Sequence, residues 1–444
     1  RRIVALALPS IVSNITVPLL GLMDVAIVGH LGRASYIGAI AVGGMLFSMI
    51  YWGFGFLRMG TSGLTSQALG RRNLEEVMTQ FLRAQGVAQA IALLLLLLQW
   101  PLETLVFYFV DASPEVRHWA GVYFRICIWG APAVLGLYAL TGWFIGMQNS
   151  RFPMFVAIFQ NVVNIVFSLF FVYALDWGVH GVAGGTLLAQ WSGVLLSFWL
   201  CFHFYRRLWR KVSFRSVWKW QEMKHFFTVN REIFGRTVCL IAVTVFFTSS
   251  GARQGDTVLA VNTLLMQLFT LFSYIMDGFA YAGEALSGRY LGARNGEGLQ
   301  RAVRLVFRWG WGLAALFTLL YAVGGNAFLS LLTDEASVLQ AAEEYFYWVL
   351  LVPVCGFAAF LWDGIFTGMT ATRQMLVAML AACAAFFSLF YLLFPVMGNA
   401  ALWLSFLVYL ALRGLGMWTY WARSRQWRSP DLESGSADCA CGKQ

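Results

Sequence analysis

Charged side chains are scarce in this sequence. Only 12% of the 444 residues are Asp, Glu, Lys or Arg, whereas 59% are hydrophobic, and the mean hydropathy is +0.68. Soluble domains carry roughly 25% charged residues, so this chain has too few to cover a surface that faces water. The composition excludes an ordinary soluble protein and predicts a protein that crosses a membrane many times.

Metal-binding and nucleophilic side chains are also few. The seven cysteines are scattered and show no metal-knuckle spacing, so we predict no disulfide, no metal site and no cofactor. The five histidines lie near predicted helix ends, without the spacing of a catalytic or metal motif. A membrane-embedded enzyme is therefore disfavoured, and no catalytic residue is assigned.

Long apolar runs recur along the whole chain, and the alternating pattern of a β-barrel is absent. The runs are about 20 residues long, as a helix needs to cross a bilayer. We predict an all-α polytopic membrane protein with twelve transmembrane helices, the first at 4–30 and the last at 399–422. The polar stretch after 427 predicts a disordered tail, and because the chain starts at Arg1 we expect some native N-terminus to be missing.

The positive charges lie in short connections between the apolar runs, so the net charge of +10 does not indicate a nucleic-acid groove. With few exceptions, connections after even-numbered helices are basic and those after odd-numbered helices are acidic or neutral. The basic residues are Arg71 and Arg72; Arg206, Arg207, Arg210, Lys211, Arg215, Lys219 and Lys224; Arg289, Arg294 and Arg301; and Arg423, Arg425 and Arg428. The positive-inside rule then predicts that both termini are cytoplasmic, in a multi-pass plasma (inner) membrane protein.

The chain repeats itself at a fixed interval. Leu69-Gly-Arg-Arg-Asn73 recurs as Leu291-Gly-Ala-Arg-Asn295, and Gly142-Trp-Phe-Ile-Gly-Met147 recurs as Gly364-Ile-Phe-Thr-Gly-Met369, both 222 residues later. The repeat equates helices 1–6 with helices 7–12, which predicts two parallel six-helix lobes, a transporter architecture. The predicted division is an N-lobe at 1–205, a cytoplasmic inter-lobe loop at 206–225, a C-lobe at 226–426 and a tail at 427–444.

One acidic residue stands out in the first apolar run. Asp24 has no other charge between it and Arg2. A carboxylate inside a bilayer is costly unless it is paired, hydrated or protonated, which favours a functional role over a purely structural one. Pro18 and Pro9 each remove a backbone hydrogen bond, so either can act as a hinge. A titratable group beside a hinge is what a proton- or ion-driven switch requires.

Several motifs carry a resemblance that spans nearly the whole chain. They are Gly21-Leu-Met-Asp-Val-Ala-Ile-Val-Gly-His-Leu-Gly32, Gln67-Ala-Leu-Gly-Arg-Arg-Asn73, Asn161-Val-Val-Asn-Ile165, Gly181-Val-Ala-Gly184 and Asp277-Gly-Phe-Ala-Tyr-Ala-Gly-Glu-Ala-Leu286. In their order and spacing the sequence resembles the multidrug and toxic compound extrusion (MATE) transporters of the DinF type, within the MOP superfamily. The resemblance implies efflux of amphipathic, often cationic compounds in exchange for protons or sodium, with Asp24 carrying the coupling ion.

A polar cluster is predicted around Asp24. Asn161, Asn164 and Ser168 share one face of predicted helix 5 (153–175), and Thr186 near the start of predicted helix 6 (181–205) lies at a similar depth. Interhelical hydrogen bonding is the alternative role for these side chains. The resemblance implies a sodium-type site when an aspartate stands four residues after Asn164; this chain has Ser168 there, which favours protons.

The second half of the chain contains three further acidic residues in predicted helices, Asp277, Glu284 and Asp363. Two roles are predicted for them: they form a C-lobe site for cationic substrates, or they form gate salt bridges with Arg58, Arg289 or Arg373. The leading prediction is a monomeric proton-coupled multidrug antiporter with small-molecule amphipathic substrates, a lipid bilayer around it and no nucleic acid. A sodium-coupled antiporter, or a flippase for lipids or lipid-linked oligosaccharides, is the alternative.

Overall fold

The computed structural model describes residues 2–30, 33–109, 113–210, 212, 214–332 and 336–424. The predicted tail at 427–444 lies outside these residues. The described part of the chain is helical between short turns, and its elements follow in chain order.

The first half of the chain contains eleven helices in its described residues. They are α1 (Arg2–Gly29), α2 (Ala34–Gly53), α3 (Phe56–Gly70), α4 (Leu74–Leu97), α5 (Gln99–Phe109), α6 (Pro114–Cys127), α7 (Ala131–Gly146), α8 (Arg151–Leu169), α9 (Gly178–Phe204), α10 (Arg206–Trp209) and α11 (Phe214–Val217). A 3₁₀ turn at Ile128–Gly130 joins α6 to α7, and a π turn at Phe170–Ala174 extends α8.

The second half contains six long helices in its described residues. They are α12 (Trp220–Arg253), α13 (Asp256–Gly292), α14 (Gly296–Leu332), α15 (Ala336–Gly368), α16 (Thr372–Met397) and α17 (Asn399–Arg423).

Twelve segments of the described chain are long and apolar enough to cross a bilayer, which confirms the all-α, twelve-helix prediction. The second span, Ser35–Gly70, joins α2 and α3, and the fourth, Pro114–Gly146, joins α6 and α7. The sequence did not predict α5, or the short helices α10 and α11 inside the expected inter-lobe loop. Side chains such as Val323 and Val396, which are 82% and 85% exposed, suit contact with lipid.

Contacts divide the described chain into two compact units. One comprises described residues within Leu8–Thr65 and Asn73–Asn230; in it α8 packs on α9, α4 on α7, and α2 on α6. The other comprises described residues within Arg1–Ala7, Ser66–Arg72 and Arg231–Gln444; in it α13 packs on α14 and α15, and α17 on α15 and α16.

The 222-residue repeat is visible in the local structure. Arg72 and Arg294 adopt left-handed backbone conformations, with φ of +57° and +54°, in the turns after α3 and α13. The next residues, Asn73 and Asn295, each cap the following helix, because their side-chain oxygens accept a hydrogen bond from the backbone N–H three residues on. Equivalent sequences therefore build the same turn twice.

Close helix crossings repeat in the same way. A Cβ at Gly142 of α7 would overlap the carbonyl oxygen of Arg58 on α3, and a Cβ at Gly364 of α15 would overlap that of Ala280 on α13. Arg58 and Ala280 are themselves 222 residues apart. Each unit thus contains an equivalent crossing that brings two backbones together, as small residues allow in membranes.

We expect Gly142→Ala and Gly364→Ala each to lower the stability of the purified protein. The added methyl group must push two packed helices apart, and overpacking of this kind costs about 1–3 kcal/mol. Thermal unfolding in detergent measures the loss. Gly86→Ala is the matched control, because its Cβ would meet nothing within 4 Å; equal unfolding temperatures for Gly142→Ala and Gly86→Ala would contradict the prediction.

Candidate functional site

Asp24 lies inside α1 and is almost fully buried, with 1% of its surface exposed. Pro9 and Pro18, the predicted hinges, are both inside the same helix. The helix continues through both prolines, as membrane-spanning helices can when neighbouring groups satisfy the freed backbone. The carboxyl is therefore held on a helix that has two weakened points.

Both oxygens of the Asp24 carboxyl accept hydrogen bonds. Asn164 of α8 donates from Nδ2 to Asp24 Oδ1 at 3.1 Å, and Thr186 of α9 donates from Oγ1 to Asp24 Oδ2 at 2.7 Å. Asn164 Nδ2 also lies 3.0 Å from Thr186 Oγ1 and can donate its second hydrogen there. The three side chains form a closed triangle in which α1, α8 and α9 each contribute one member.

This triangle matches the ionised carboxylate, which has only acceptors to offer. All three hydrogens in the triangle are committed: two point to the carboxylate and one to the threonine oxygen. Asn164 Oδ1 is buried and accepts no hydrogen bond from the described residues. A proton added to Asp24 would bring a further donor, and one existing hydrogen bond would have to be rearranged.

Tyr123 of α6 is a neighbour that the sequence analysis missed. Its hydroxyl interacts with the Asp24 carboxyl and with Thr186, and its side chain is 5% exposed. The ring sits where Gly43 of α2 has no side chain, since a Cβ there would overlap it. Tyrosine is common in ordinary cores, and no spacing rule connects α6 to α1, so the sequence carried little signal for Tyr123.

Asn161 and Ser168 are buried on α8 as predicted, but their side chains are directed differently. Asn161 donates from Nδ2 to the backbone oxygens of Thr16 at 3.1 Å and Ala157 at 3.0 Å, so it fastens α8 to the backbone of α1. Ser168 packs against Gly185, and its Oγ makes no hydrogen bond within the described chain. Of the predicted partners, Asn164 and Thr186 bond directly to Asp24.

Asp363 of α15 has partners that the sequence analysis did not foresee. Its Oδ2 accepts hydrogen bonds from Arg236 of α12 and Arg413 of α17, and Arg413 also stacks over Tyr409 at 5.3 Å. The alternative predicted from the sequence was salt bridges to Arg58, Arg289 or Arg373. For Asp363 the ion pairs are instead with Arg236 and Arg413. Two guanidinium groups therefore compensate the charge of Asp363 through one of its two oxygens.

Asp277 and Glu284 lie on α13, the former half-buried and the latter 1% exposed. The backbone oxygen of Glu284 lies where Gly368 of α15 has no side chain. The backbone at Glu284 therefore lies in the contact between α13 and α15, whereas the Asp363 carboxylate bonds to α12 and α17. Within the described residues, no group of three or more His, Cys, Asp or Glu side chains is placed to hold a metal ion.

The fold and the buried carboxyl define a class of protein. Twelve spans, two repeated halves and a buried, hydrogen-bonded carboxyl inside a proline-containing span are features of a membrane transporter rather than an enzyme. The MatE family model matches residues 9–170 and 234–392, one segment in each predicted half. The chain belongs to the MatE family, which confirms the predicted family and fold class and identifies a multi-pass membrane transporter.

Relatives match over nearly the full length. The chain is 37% identical to DNA damage-inducible protein F of Escherichia coli, covering 96% of this chain and 92% of that protein. It is 22% identical to a protein named "Probable multidrug resistance protein NorM" of Mesorhizobium japonicum, covering 85% and 83%. Among solved structures, a MATE transporter in the bent conformation superposes with a TM-score of 0.87, at 18% identity and 96% coverage of both chains.

Proposed function

We propose that this chain is a secondary active multidrug antiporter that exports amphipathic or cationic compounds in exchange for protons. Membership of the MatE family and relatives named as multidrug resistance proteins support the efflux of small molecules. The observation that carries the coupling step is the buried triangle of Asp24, Asn164 and Thr186.

The triangle offers a way to couple a proton to a change of shape. With Asp24 ionised, two donors bind its oxygens and tie α1 to α8 and α9. With Asp24 protonated, the buried charge disappears and the hydrogen bonds from Asn164 and Thr186 lose their charged acceptor, so the tie between α1 and its neighbours weakens. Helix α1 can then bend at Pro18 or Pro9 and the substrate is expelled.

A proton can drive such a cycle only if the two arrangements of the transporter bind it with different affinity. The intact triangle stabilises the ionised carboxyl relative to an arrangement that lacks these hydrogen bonds, because they stabilise its charge. An arrangement in which Asn164 and Thr186 have moved away favours the protonated carboxyl. The difference in the free energy of proton binding between the two arrangements is the coupling free energy.

Protons suit the site better than sodium. A sodium ion needs several oxygen ligands around it, but the amide nitrogen of Asn164 is directed at Asp24 and at Thr186. Ser168 stands at the position where a second carboxylate would favour sodium, and it supplies only a neutral hydroxyl. Sodium coupling remains the alternative within the same function.

The remaining parts of the proposal concern the setting of the transporter. We propose a monomer in the plasma (inner) membrane, with both termini in the cytoplasm and no cofactor besides the ion gradient. The alternation of basic and acidic connections supports this orientation.

The test is efflux of a fluorescent cationic drug from vesicles that contain the purified protein, under a pH gradient or a sodium gradient imposed separately. We expect efflux under the pH gradient alone, and collapse of that gradient with a protonophore should stop it. Efflux driven only by the sodium gradient would show that sodium, and not the proton, is the coupling ion. Efflux under neither gradient would contradict the antiporter and favour a flippase for lipid-linked substrates.

A further inference from the structure

The connection between α9 and α12 is both basic and aromatic. In its described part, Arg206, Arg207, Arg210 and Lys219 are exposed. Trp218 and Trp220 flank Lys219 and are 71% and 79% exposed. Two neighbouring tryptophans this far out of the protein need an explanation, because tryptophan side chains are costly to leave in water.

A buried arginine holds this connection in place. Arg83 of α4 is 2% exposed and donates from Nε to the backbone oxygen of Val217 at 2.8 Å and from Nη2 to that of Ser216 at 2.5 Å. It also forms an ion pair with Glu222, in the first turn of α12. The residues directly before and shortly after Trp218 are thus attached to α4.

A third tryptophan in the same connection shows the contrast. Trp209 of α10 turns inward, with its ring stacked 4.3 Å from Phe202 and lying 5.7 Å from Phe81. Trp209 and Arg83 therefore anchor the two ends of the connection on the same helix, α4. The connection has its own anchoring tryptophan, so Trp218 and Trp220 are directed outward for another reason.

The position of the connection identifies what covers it. It follows directly from the last turns of α9, where Trp199, Phe202 and Phe204 are 56%, 50% and 60% exposed, and it leads into α12, another spanning helix. Exposed rings at the end of a spanning helix lie at the boundary between lipid chains and headgroups. Tryptophan prefers this boundary, and nearby lysine and arginine attract anionic headgroups.

We infer that Trp218, Lys219 and Trp220, with Arg206 and Arg207, form a binding surface for the headgroups of anionic phospholipids in the adjoining leaflet. The tryptophan rings enter the interface and the cations pair with lipid phosphate. Because the hydrogen bonds from Arg83 fix the backbone at Ser216 and Val217, the binding surface is held in one orientation. This inference stands apart from the proposed antiport and does not depend on the transported compound.

The test is lipid binding to the full-length protein in detergent, measured by native mass spectrometry during titration with phosphatidylglycerol or phosphatidylcholine. We expect the variant Trp218→Ala/Lys219→Ala/Trp220→Ala to bind phosphatidylglycerol at least about fivefold more weakly, since one cation near the interface contributes roughly 1 kcal/mol. Binding of phosphatidylcholine should fall less. Lys219→Glu, which keeps both tryptophans and the contacts of Arg83, should show the same selectivity change.

The control is Arg294→Ala/Arg301→Ala, which removes two exposed cations from the connection around the start of α14. This control should bind phosphatidylglycerol nearly as the parent does. An equal loss in the control would show that only total charge matters and would overturn the inference. Unchanged binding in the triple variant, or an equal loss for both lipids, would overturn it as well.

Discussion

Replacing Asp24 with asparagine is expected to reduce proton-driven efflux to the level of empty vesicles while the protein still folds. The amide is close in size to the carboxyl, so the packing around it is kept, but it cannot take up or release a proton. The variant should be extracted, elute as the parent protein does and still bind substrate. Efflux from vesicles under an imposed pH gradient measures the loss.

Ser168→Ala is the matched control for this variant. Ser168 is as deeply buried as Asn164, yet its hydroxyl makes no hydrogen bond in the described chain, so its removal should leave efflux close to the parent rate. Full proton-driven export by Asp24→Asn would exclude Asp24 as the coupling group. Loss of efflux in Ser168→Ala would show that the coupling site extends further along α8 than the triangle.

Asp363→Asn is expected to destabilise the protein strongly. The carboxylate lies between Arg236 and Arg413, and its loss leaves two guanidinium groups close together in a buried region. Removing one partner from a buried ion cluster costs about 3–5 kcal/mol. Thermal unfolding in detergent should show a large decrease, well beyond that of the glycine variants.

The companion variant Arg236→Met/Asp363→Leu/Arg413→Met separates charge from packing. Because all three charges leave together, its stability should return most of the way to that of the parent, as apolar replacements of buried ion clusters do elsewhere. If Asp363→Asn unfolds at the parent temperature, the triad does not stabilise the fold. If the apolar triple variant is as unstable as Asp363→Asn, the arginines contribute by packing and not by charge.

Much of the fold could be predicted because its signals are periodic. The apolar runs predict the membrane-spanning helices, and the 222-residue interval between Leu69 and Leu291 indicates that the two halves of the chain repeat each other. The triangle could be predicted in part, since Asn164 and Thr186 were expected near the depth of Asp24 from the direction of their helices. Depth is a property that sequence carries in a membrane protein, because each span starts and ends at the bilayer surface.

The remaining partners depend on side-chain direction between helices that are distant in sequence. Asp363 is separated from Arg236 by 127 residues and from Arg413 by 50, and no spacing rule selects those two arginines from the others. The same holds for Arg83, whose bonds to Ser216 and Val217 turn an expected loop into an anchored segment. Ser168 shares a helical face with Asn164, but contacts α9 at Gly185.

The hydrogen bond from Asn161 to the backbone of Thr16 divides α1 into two arms. Thr16 lies between Pro9 and Pro18, so α8 is hydrogen-bonded to α1 between the two predicted hinges. If Asn161 holds α1 at Thr16, a bend at Pro18 moves the C-terminal part of α1, which carries Asp24. This movement would separate Asp24 from Asn164, which lies on the same helix as Asn161. In the proposed cycle the hydrogen bond between Asn164 and the ionised Asp24 therefore opposes a bend at Pro18, and α1 would straighten as Asp24 released its proton.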